Sequence, residues 1–136
     1  MKRVAIQGEV GSFHDIAAHQ HFEGEQLQVI ENTIAGSLLH NYELLRSSGT
    51  TIVGEYRLHI QHAICCLPDD DWSTIHEVQS HPVALMQCRN FLANHPELKA
   101  VEGEDTAGSA EYISRQQCHG WAAICHADAA RMYGMK

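Results

Sequence analysis

The chain has 136 residues, of which 44% are apolar, so it can form one small domain or two lobes that share a core. Its 17 acidic and nine basic residues give a net charge of −8, which repels phosphate backbones and makes nucleic acid an unfavourable partner. No apolar run approaches the roughly 20 residues that a membrane helix needs, and the start of the chain is too polar for a secretory signal. We therefore expect a cytoplasmic protein without a membrane partner.

Five cysteines and eleven histidines raise the question of a metal site. The cysteines lack C-x-x-C spacing and are expected to be reduced thiols, with Cys65 and Cys66 as small residues of a buried strand. His59, His62 and Cys65 have ligand-like gaps, but their segment reads as extended, where residues three apart face opposite sides. We predict no metal site and no cofactor.

Apolar periodicity along the chain switches repeatedly between the strand period and the helix period. The predicted elements, in chain order, are strand 3–7, helix 12–22, strand 26–30, helix 33–49, extended stretch 50–67, turn 68–73, strand 75–80, helix 82–95, strand 98–103, helix 106–117, strand 120–126 and helix 127–134. This alternation is typical of an α/β fold with mostly parallel sheets and helices on both faces. The long extended stretch suits a crossover between lobes, so we predict a first lobe over 1–59 and a second lobe over 60–136.

Ligands of such folds bind beyond the carboxyl ends of strands, where the next helix begins. Four loops take such positions, at 7–14, 30–37, 78–88 and 103–110. In the first loop, two glycines and Ser12, a candidate N-cap, suit an anion held on backbone N–H groups, although a simple turn is the commoner explanation. In the second loop, Asn32 or Thr33 can cap a helix, whereas Glu31 before the cap has no such explanation.

The third loop, VQSHPVALMQC, places Pro82 in the first helical turn and leaves His81 or Ser80 as the cap. Cys88 reads as a core thiol, because no partner pattern indicates a Cys/His nucleophile. The fourth loop repeats the form of the second, since Glu104 ends a strand and Thr106 can cap the next helix. Two such loops facing across a cleft favour a cleft-binding protein over a structural domain.

Five segments follow one another along the chain: VAIQGEVGSFHDIAA, IENTIAGSLLHNYELL, IVGEYRLHIQHAICC, VQSHPVALMQCRNFL and EDTAGSAEYI. Their order resembles the prephenate dehydratase family over nearly the whole chain, with Glu-Asn-Thr and Ser-His-Pro…Gln-Cys as the most specific segments. The resemblance implies a two-lobed, periplasmic-binding-protein-like (type II) α/β domain with its active site in the inter-lobe cleft. It also implies the conversion of prephenate to phenylpyruvate in phenylalanine biosynthesis, by a homodimer or a homotetramer.

The resemblance assigns candidate site residues. The residues that match the polar lining of the family's active site are Glu31, Asn32, Gln87 and Glu104. We expect Asn32 and Gln87 to orient the substrate, and Glu31 and Glu104 to support the polar network. Residues expected to bind the substrate near the helix starts are Ser12, Phe13, Thr33, Ser80, His81 and Thr106. Prephenate is a dicarboxylate, and helix N-termini suit it in a chain with few cations.

Two departures from the family bear on the activity. Family members carry more residues before Glu-Asn-Thr, whereas Ile30 runs directly into Glu31 here. They also continue past the match to Tyr133-Gly134 to a Thr-Arg-Phe motif, whose threonine is the favoured proton donor to the leaving hydroxyl. Either the sequence is the ordered part of a longer polypeptide or the chain is truncated, and we expect the former. Arogenate, the aminated relative of prephenate, and a non-catalytic small-anion binding module on the same scaffold are the alternatives.

Overall fold

The computed structural model describes residues 10–21, 31–32, 36–37, 39–49, 51–52, 55 and 57–136. The first elements are α1 (Phe13–His21), β1 (Glu31–Asn32), β2 (Gly36–Ser37) and α2 (Leu39–Ser48). They are followed by β3 (Ala63–Cys66), a 3-10 turn (Trp72–Thr74), β4 (Glu77–Ser80), α3 (Pro82–Gln87), α4 (Arg89–Ala93), β5 (Lys99–Glu102), α5 (Thr106–Gln116), β6 (Trp121–Cys125) and α6 (Ala127–Met132). The strands predicted at 3–7 and 26–30 lie outside the described residues.

Four strands form one sheet in the order β3-β6-β4-β5. Strand β4 pairs in parallel with both β5 and β6, whereas β3 runs antiparallel to β6. The chain moves from β4 outward to β5 and then back across β4 to β6. Because crossovers between parallel strands are right-handed, these two connections place their helices on opposite faces of the sheet.

Each face of the sheet carries its own apolar core. On one face, α5 and α6 pack around a cluster that includes Ile113 and Ala129, and on the other face α3 contributes Leu85. Strand β6 serves both cores, because Ala123 and Cys125 belong to the first cluster while Ala122 and Ile124 belong to the second. These four residues are at most 2% exposed. Strand β6 is therefore an interior strand that is buried on both faces, as strands of parallel sheets are.

The thiols of Cys65, Cys66, Cys88 and Cys125 are packing groups. The sulfur atoms of Cys65 and Cys125 lie 3.4 Å apart in the core, and their hydrogen bond together with burial raises the pKa of Cys65. Burial also raises the pKa of Cys66 and Cys88. The prediction that Cys65 lies in a buried strand is confirmed, and Cys66 beside it is half-buried. A raised pKa keeps a thiol protonated, which agrees with the prediction that Cys88 is no nucleophile.

Two predicted helices differ from those in the structure. The helix predicted over 33–49 begins only at Leu39, because Gly36–Ser37 instead pairs with Glu31–Asn32 in an antiparallel ladder. Glycine and serine are weaker helix formers than the leucines that follow, so local pairing prevails there. At the other end Gly49, with φ of 68°, stops the helix as predicted.

The helix predicted over 82–95 is divided at Cys88, whose φ of −92° and ψ of 9° end α3 and start α4. Within the predicted extended stretch 50–67, the described residues form a strand over Ala63–Cys66. The remaining elements predicted beyond residue 68 are confirmed to within a few residues. No helix in the described part of the chain is long and apolar enough to cross a membrane.

A buried aspartate joins the loop after β3 to the loop before β6. The carboxylate of Asp70, a residue that is 7% exposed, accepts hydrogen bonds from Nδ1 of His119 at 2.8 Å and from the backbone N–H of Gly120 at 2.9 Å. These bonds, above all the one from His119, hold the pKa of Asp70 below its usual value. They fix the start of β6, since Gly120 also accepts a hydrogen bond from the backbone of His76 at 2.9 Å.

Replacing Asp70 with alanine is expected to lower the free energy of unfolding by about 1–3 kcal/mol, because the buried N–H of Gly120 loses its acceptor. The matched control is Asp69→Ala, a change at the neighbouring exposed residue, which should alter stability by less than about 0.5 kcal/mol. Urea denaturation of both variants measures the difference. Equal losses in the two variants would contradict the role assigned to Asp70.

Candidate active site

The carboxyl ends of β4, β5 and β6 lie at one edge of the sheet, and α3, α5 and α6 begin there. Strand β3 starts at the same edge because it is antiparallel to β6, with Ala63 opposite Cys125. Helix α3 packs on one face of the sheet and α6 on the other. The adjacent strands β4 and β6 thus lead to opposite faces, and such a switch point is where α/β sheets open a crevice for ligands.

Histidines cap two of the three helices that begin at this edge. Nδ1 of His81 accepts a hydrogen bond from the N–H of Val83 at 3.2 Å, and Nδ1 of His126 accepts one from the N–H of Asp128 at 3.1 Å. Because Nδ1 accepts in both rings, the proton of each neutral ring lies on Nε2. The prediction that His81 or Ser80 caps the helix holds for His81, and each histidine cap keeps an N–H group that can donate to a ligand.

The third helix is capped by Asp105. Its carboxylate accepts a hydrogen bond from the N–H of Gly108 at 2.9 Å, and its backbone oxygen accepts one from the hydroxyl of Ser109 at 2.7 Å. The prediction that Thr106 caps this helix is wrong. Asp105 has the extended backbone of an N-cap residue, with φ of −147° and ψ of 157°, whereas Thr106 is already the first helical residue and is buried.

Two serines predicted to bind substrate have structural contacts instead. Ser80 is 0% exposed, and its hydroxyl donates to the backbone oxygen of Ile124 at 2.6 Å, which ties the end of β4 to β6. A contact of Ser80 with substrate stays a prediction. Ser12 is also buried, and its hydroxyl accepts a hydrogen bond from the N–H of Asp15 at 3.3 Å. The prediction that Ser12 caps α1 is confirmed.

An aromatic ring connects the residues at this edge. The ring of Phe13 lies nearly perpendicular to two imidazoles, at centroid distances of 5.2 Å from His62 and 5.6 Å from His126. His62 also contacts Gln87, since its Nε2 atom lies 2.6 Å from Oε1 of Gln87. The structure thus brings together two residues predicted for the site, Phe13 and Gln87, and joins them to His62 and His126.

The sequence patterns do not place His62 or His126 in the site. The apolar periodicity assigns His126 to the last strand, but His126 follows a strand and precedes a helix just as His81 does, and this similarity is the signal that could identify it. His62 has no comparable local signal, because its contact with Gln87 joins residues 25 positions apart.

The second predicted loop is described only in its backbone. Glu31 and Asn32 pair with Gly36–Ser37, and Thr33 lies outside the described residues, so their contacts with a ligand stay predictions. The expectation that Asn32 can cap the helix is wrong, because α2 begins only at Leu39. Glu104 is exposed in the loop between β5 and α5, at the edge where the other site residues lie.

Helix α1 brings a half-buried histidine close to the start of α5. His14 is half-buried, and its Nε2 has no hydrogen-bond partner among the residues that the structure describes. Burial lowers the pKa of His14, an effect that the nearby carboxylate of Asp105 partly opposes. The neutral ring is therefore the form that the fold favours.

A cavity of about 190 Å³ lies against β3 at the opposite edge of the sheet, lined by Ile64, Cys65, Cys66, Trp72, Ala122 and Lys136. No residue predicted or observed in the site lines it, so we place the site by its polar groups and not by this cavity. Within the described part of the chain, no group of three His, Cys, Asp or Glu residues is arranged to hold a metal ion.

We expect His14 to destabilise the fold in mild acid. Because its pKa lies below the ordinary value of 6.5, the unfolded chain binds a proton more readily, so stability is full above 6.5 and falls as the pH drops below it. His14→Gln should weaken this pH dependence by at most about 1 kcal/mol per pH unit. Urea unfolding at about pH 7.5 and about pH 5.5 measures it. His40→Gln, at an exposed position of α2, is the control, and an unchanged slope in His14→Gln would refute the expectation.

Comparisons with known proteins bear on the family. The family model for prephenate dehydratase (PDT) matches residues 26–136. Arogenate dehydratase 5 of Arabidopsis thaliana, a chloroplastic protein, is 32% identical over 157 residues, which cover 98% of this chain and 37% of that protein. The bifunctional chorismate mutase/prephenate dehydratase of Escherichia coli K12 is 30% identical over 160 residues, which cover 98% of this chain and 42% of that protein.

A crystal structure of prephenate dehydratase from Arthrobacter aurescens, in complex with L-Phe, superposes with a TM-score of 0.81 at 22% identity, over 98% of this chain and 53% of that one. This likeness confirms the predicted fold class, a periplasmic-binding-protein-like (type II) α/β domain. The chain spans about two fifths of the length of the curated relatives described above. Because the family model matches most of its residues, the chain belongs to the prephenate dehydratase family.

Proposed function

We propose that this chain supplies substrate-binding residues of a prephenate dehydratase, an enzyme that converts prephenate to phenylpyruvate. In that reaction the bond to the ring carboxylate breaks and carbon dioxide leaves. The released electron pair makes the ring aromatic and expels the ring hydroxyl, which takes up a proton and leaves as water. The protein must therefore orient an anionic substrate and supply hydrogen-bond donors where charge moves.

The observation that carries the proposal is the position of Gln87, held by His62 at the edge where three helices begin. The carboxamide nitrogen of glutamine donates hydrogen bonds and suits a carboxylate. The Nε2–H groups of the His81 and His126 caps are further donors at the same edge. Such donors orient an anion without the lysines and arginines that this acidic chain has in short supply.

The proposal also covers the identity of the substrate, the arrangement of the lobes and the residues that contact the substrate. We take prephenate as the substrate and arogenate as the alternative, since a relative named for each matches this chain. The two-lobed arrangement, with lobes over 1–59 and 60–136 and the substrate between them, belongs to the proposal. We also propose that the substrate contacts Glu31, Asn32 and Glu104.

The reaction is tested by mixing the full-length protein with prephenate and following phenylpyruvate by its absorbance in alkali. A parallel sample with arogenate is assayed for phenylalanine by chromatography. Turnover of prephenate supports the proposal, whereas preferred turnover of arogenate would correct the substrate. Binding of both compounds without turnover would overturn the enzyme proposal in favour of a small-anion binding module.

Replacing Gln87 with alanine is expected to lower kcat/KM by about 10- to 100-fold, which corresponds to the loss of one hydrogen bond to a charged group. The matched control is Cys88→Ala at the neighbouring half-buried position, whose thiol belongs to the core. That variant should keep kcat/KM within about threefold. Thermal melts of both variants check that they fold. A Gln87→Ala enzyme with unchanged kinetics would refute the role of Gln87.

We further propose a cytoplasmic homodimer or homotetramer. The chloroplastic relative from Arabidopsis thaliana shows that the compartment differs within the family. Multi-angle light scattering of the purified protein is expected to give two or four times the mass of the polypeptide. A mass of one polypeptide at micromolar concentration would contradict the oligomer.

A further inference from the structure

The contact between His62 and Gln87 assigns the hydrogen-bond donor and the acceptor of this pair. Their Nε2 and Oε1 atoms are 2.6 Å apart. A carboxamide oxygen can only accept a hydrogen bond, so Nε2 of His62 must be the donor. In the neutral ring, Nδ1 then carries the lone pair. This Nδ1 atom is buried and has no hydrogen-bond partner among the described residues.

This hydrogen bond determines the orientation of the Gln87 carboxamide. The terminal torsion of a free glutamine is broad and roughly two-fold, so either its oxygen or its nitrogen can face a ligand. With Oε1 turned to His62, the Nε2 atom of Gln87 lies on the side of the carboxamide away from His62. The opposite orientation would turn a carbonyl oxygen toward an anion and repel it.

The imidazole of His62 is itself held by packing. Phe13 contacts it edge to face, with an interplanar angle of 89°, and the same phenyl ring also contacts His126, at an interplanar angle of 88°. Phe13 is the first residue of α1, and the ring of His126 is fixed by its hydrogen bond at the start of α6. The position of His62 is therefore determined by two helices that are distant from it in sequence.

From these contacts we infer that His62 is a positioning residue for the reaction. It acts through Gln87 and keeps the carboxamide in the orientation in which an amide N–H, and not the oxygen, can face an anionic substrate. The inference rests on the proposed function for its kinetic consequence. The side-chain pairing itself is a property of the protein that can be measured without turnover.

The kinetic test compares two changes at His62. His62→Phe keeps a ring against Phe13 but removes the donor, and it should lower kcat/KM by about tenfold, as expected for one lost hydrogen bond. His62→Gln restores an N–H group at similar reach, and it should recover kcat/KM to within about threefold of the unsubstituted enzyme. The control is His95→Phe, the same change in a histidine that packs against Phe91 before β5, at the opposite edge of the sheet. Equal kcat/KM in His62→Phe and the unsubstituted enzyme would overturn the inference.

A double-mutant cycle separates positioning from a general effect on structure. Because His62 acts through Gln87, His62→Phe should cause no further loss of kcat/KM in the Gln87→Ala background. A full additional tenfold loss in that background would show that His62 acts independently and would overturn the inference. Thermal melts of all variants establish that each comparison is made between folded enzymes.

An NMR measurement keeps the inference testable even if the protein turns over neither substrate. A proton–nitrogen correlation spectrum of the histidine rings should show His62 with its proton on Nε2. The side-chain amide signal of Gln87 should shift in His62→Phe and not in His95→Phe. A proton on Nδ1 alone, or an unmoved Gln87 signal, would overturn the pairing. An inactive protein that gives the expected spectrum would refute the proposed function and leave the pairing intact.

Discussion

The antiparallel pairing of β3 with β6 is the constraint on which the candidate site depends. Strands β4, β5 and β6 are parallel, so segments that lead into them arrive at the amino edge of the sheet. Only a strand of opposite direction brings an incoming segment to the carboxyl edge, and β3 does so with Ala63 opposite Cys125. A parallel β3 would carry His62 to the other end of the strand, about 13 Å away, where it would not reach Gln87.

The helix caps at this edge explain how an acidic chain provides donors for an anion. Serine and threonine are common N-caps, but two of the three helices here use a histidine. A hydroxyl cap is largely satisfied by the helix itself, whereas an imidazole that accepts through Nδ1 retains a donor at Nε2. The carboxylate cap of α5, Asp105, has the opposite effect, because it places a negative charge at its helix start. The start of α3 is therefore the more favourable one for an anionic group, because α3 has no acidic residue in its first turn, whereas α6 has Asp128 there.

The sequence predicted the parts of the fold that depend on local patterns. The elements beyond residue 68 follow the apolar periodicity, and helices α3, α5 and α6 each bury apolar residues in one of the two cores. Periodicity carries no information on strand direction, so the antiparallel β3 could not be derived from it. The choice between Asp105 and Thr106 as cap was equally open, because both types of side chain can accept the hydrogen bond and backbone geometry decides. The contact of His62 with Gln87 could not be predicted from the sequence, because it depends on tertiary structure alone.

The neighbours Gln87 and Cys88 show why position outweighs intrinsic reactivity in assigning a site. Considered as isolated side chains, the thiol is much the stronger nucleophile. Successive residues of a helix differ by about 100° in direction, and Cys88 packs against the core that includes Leu85 while Gln87 meets His62. Burial raises the pKa of the Cys88 thiol and keeps it protonated, so its chemistry is suppressed. In the proposed function, the less reactive carboxamide gains its importance from His62, a partner that fixes its orientation at the edge where the strands end.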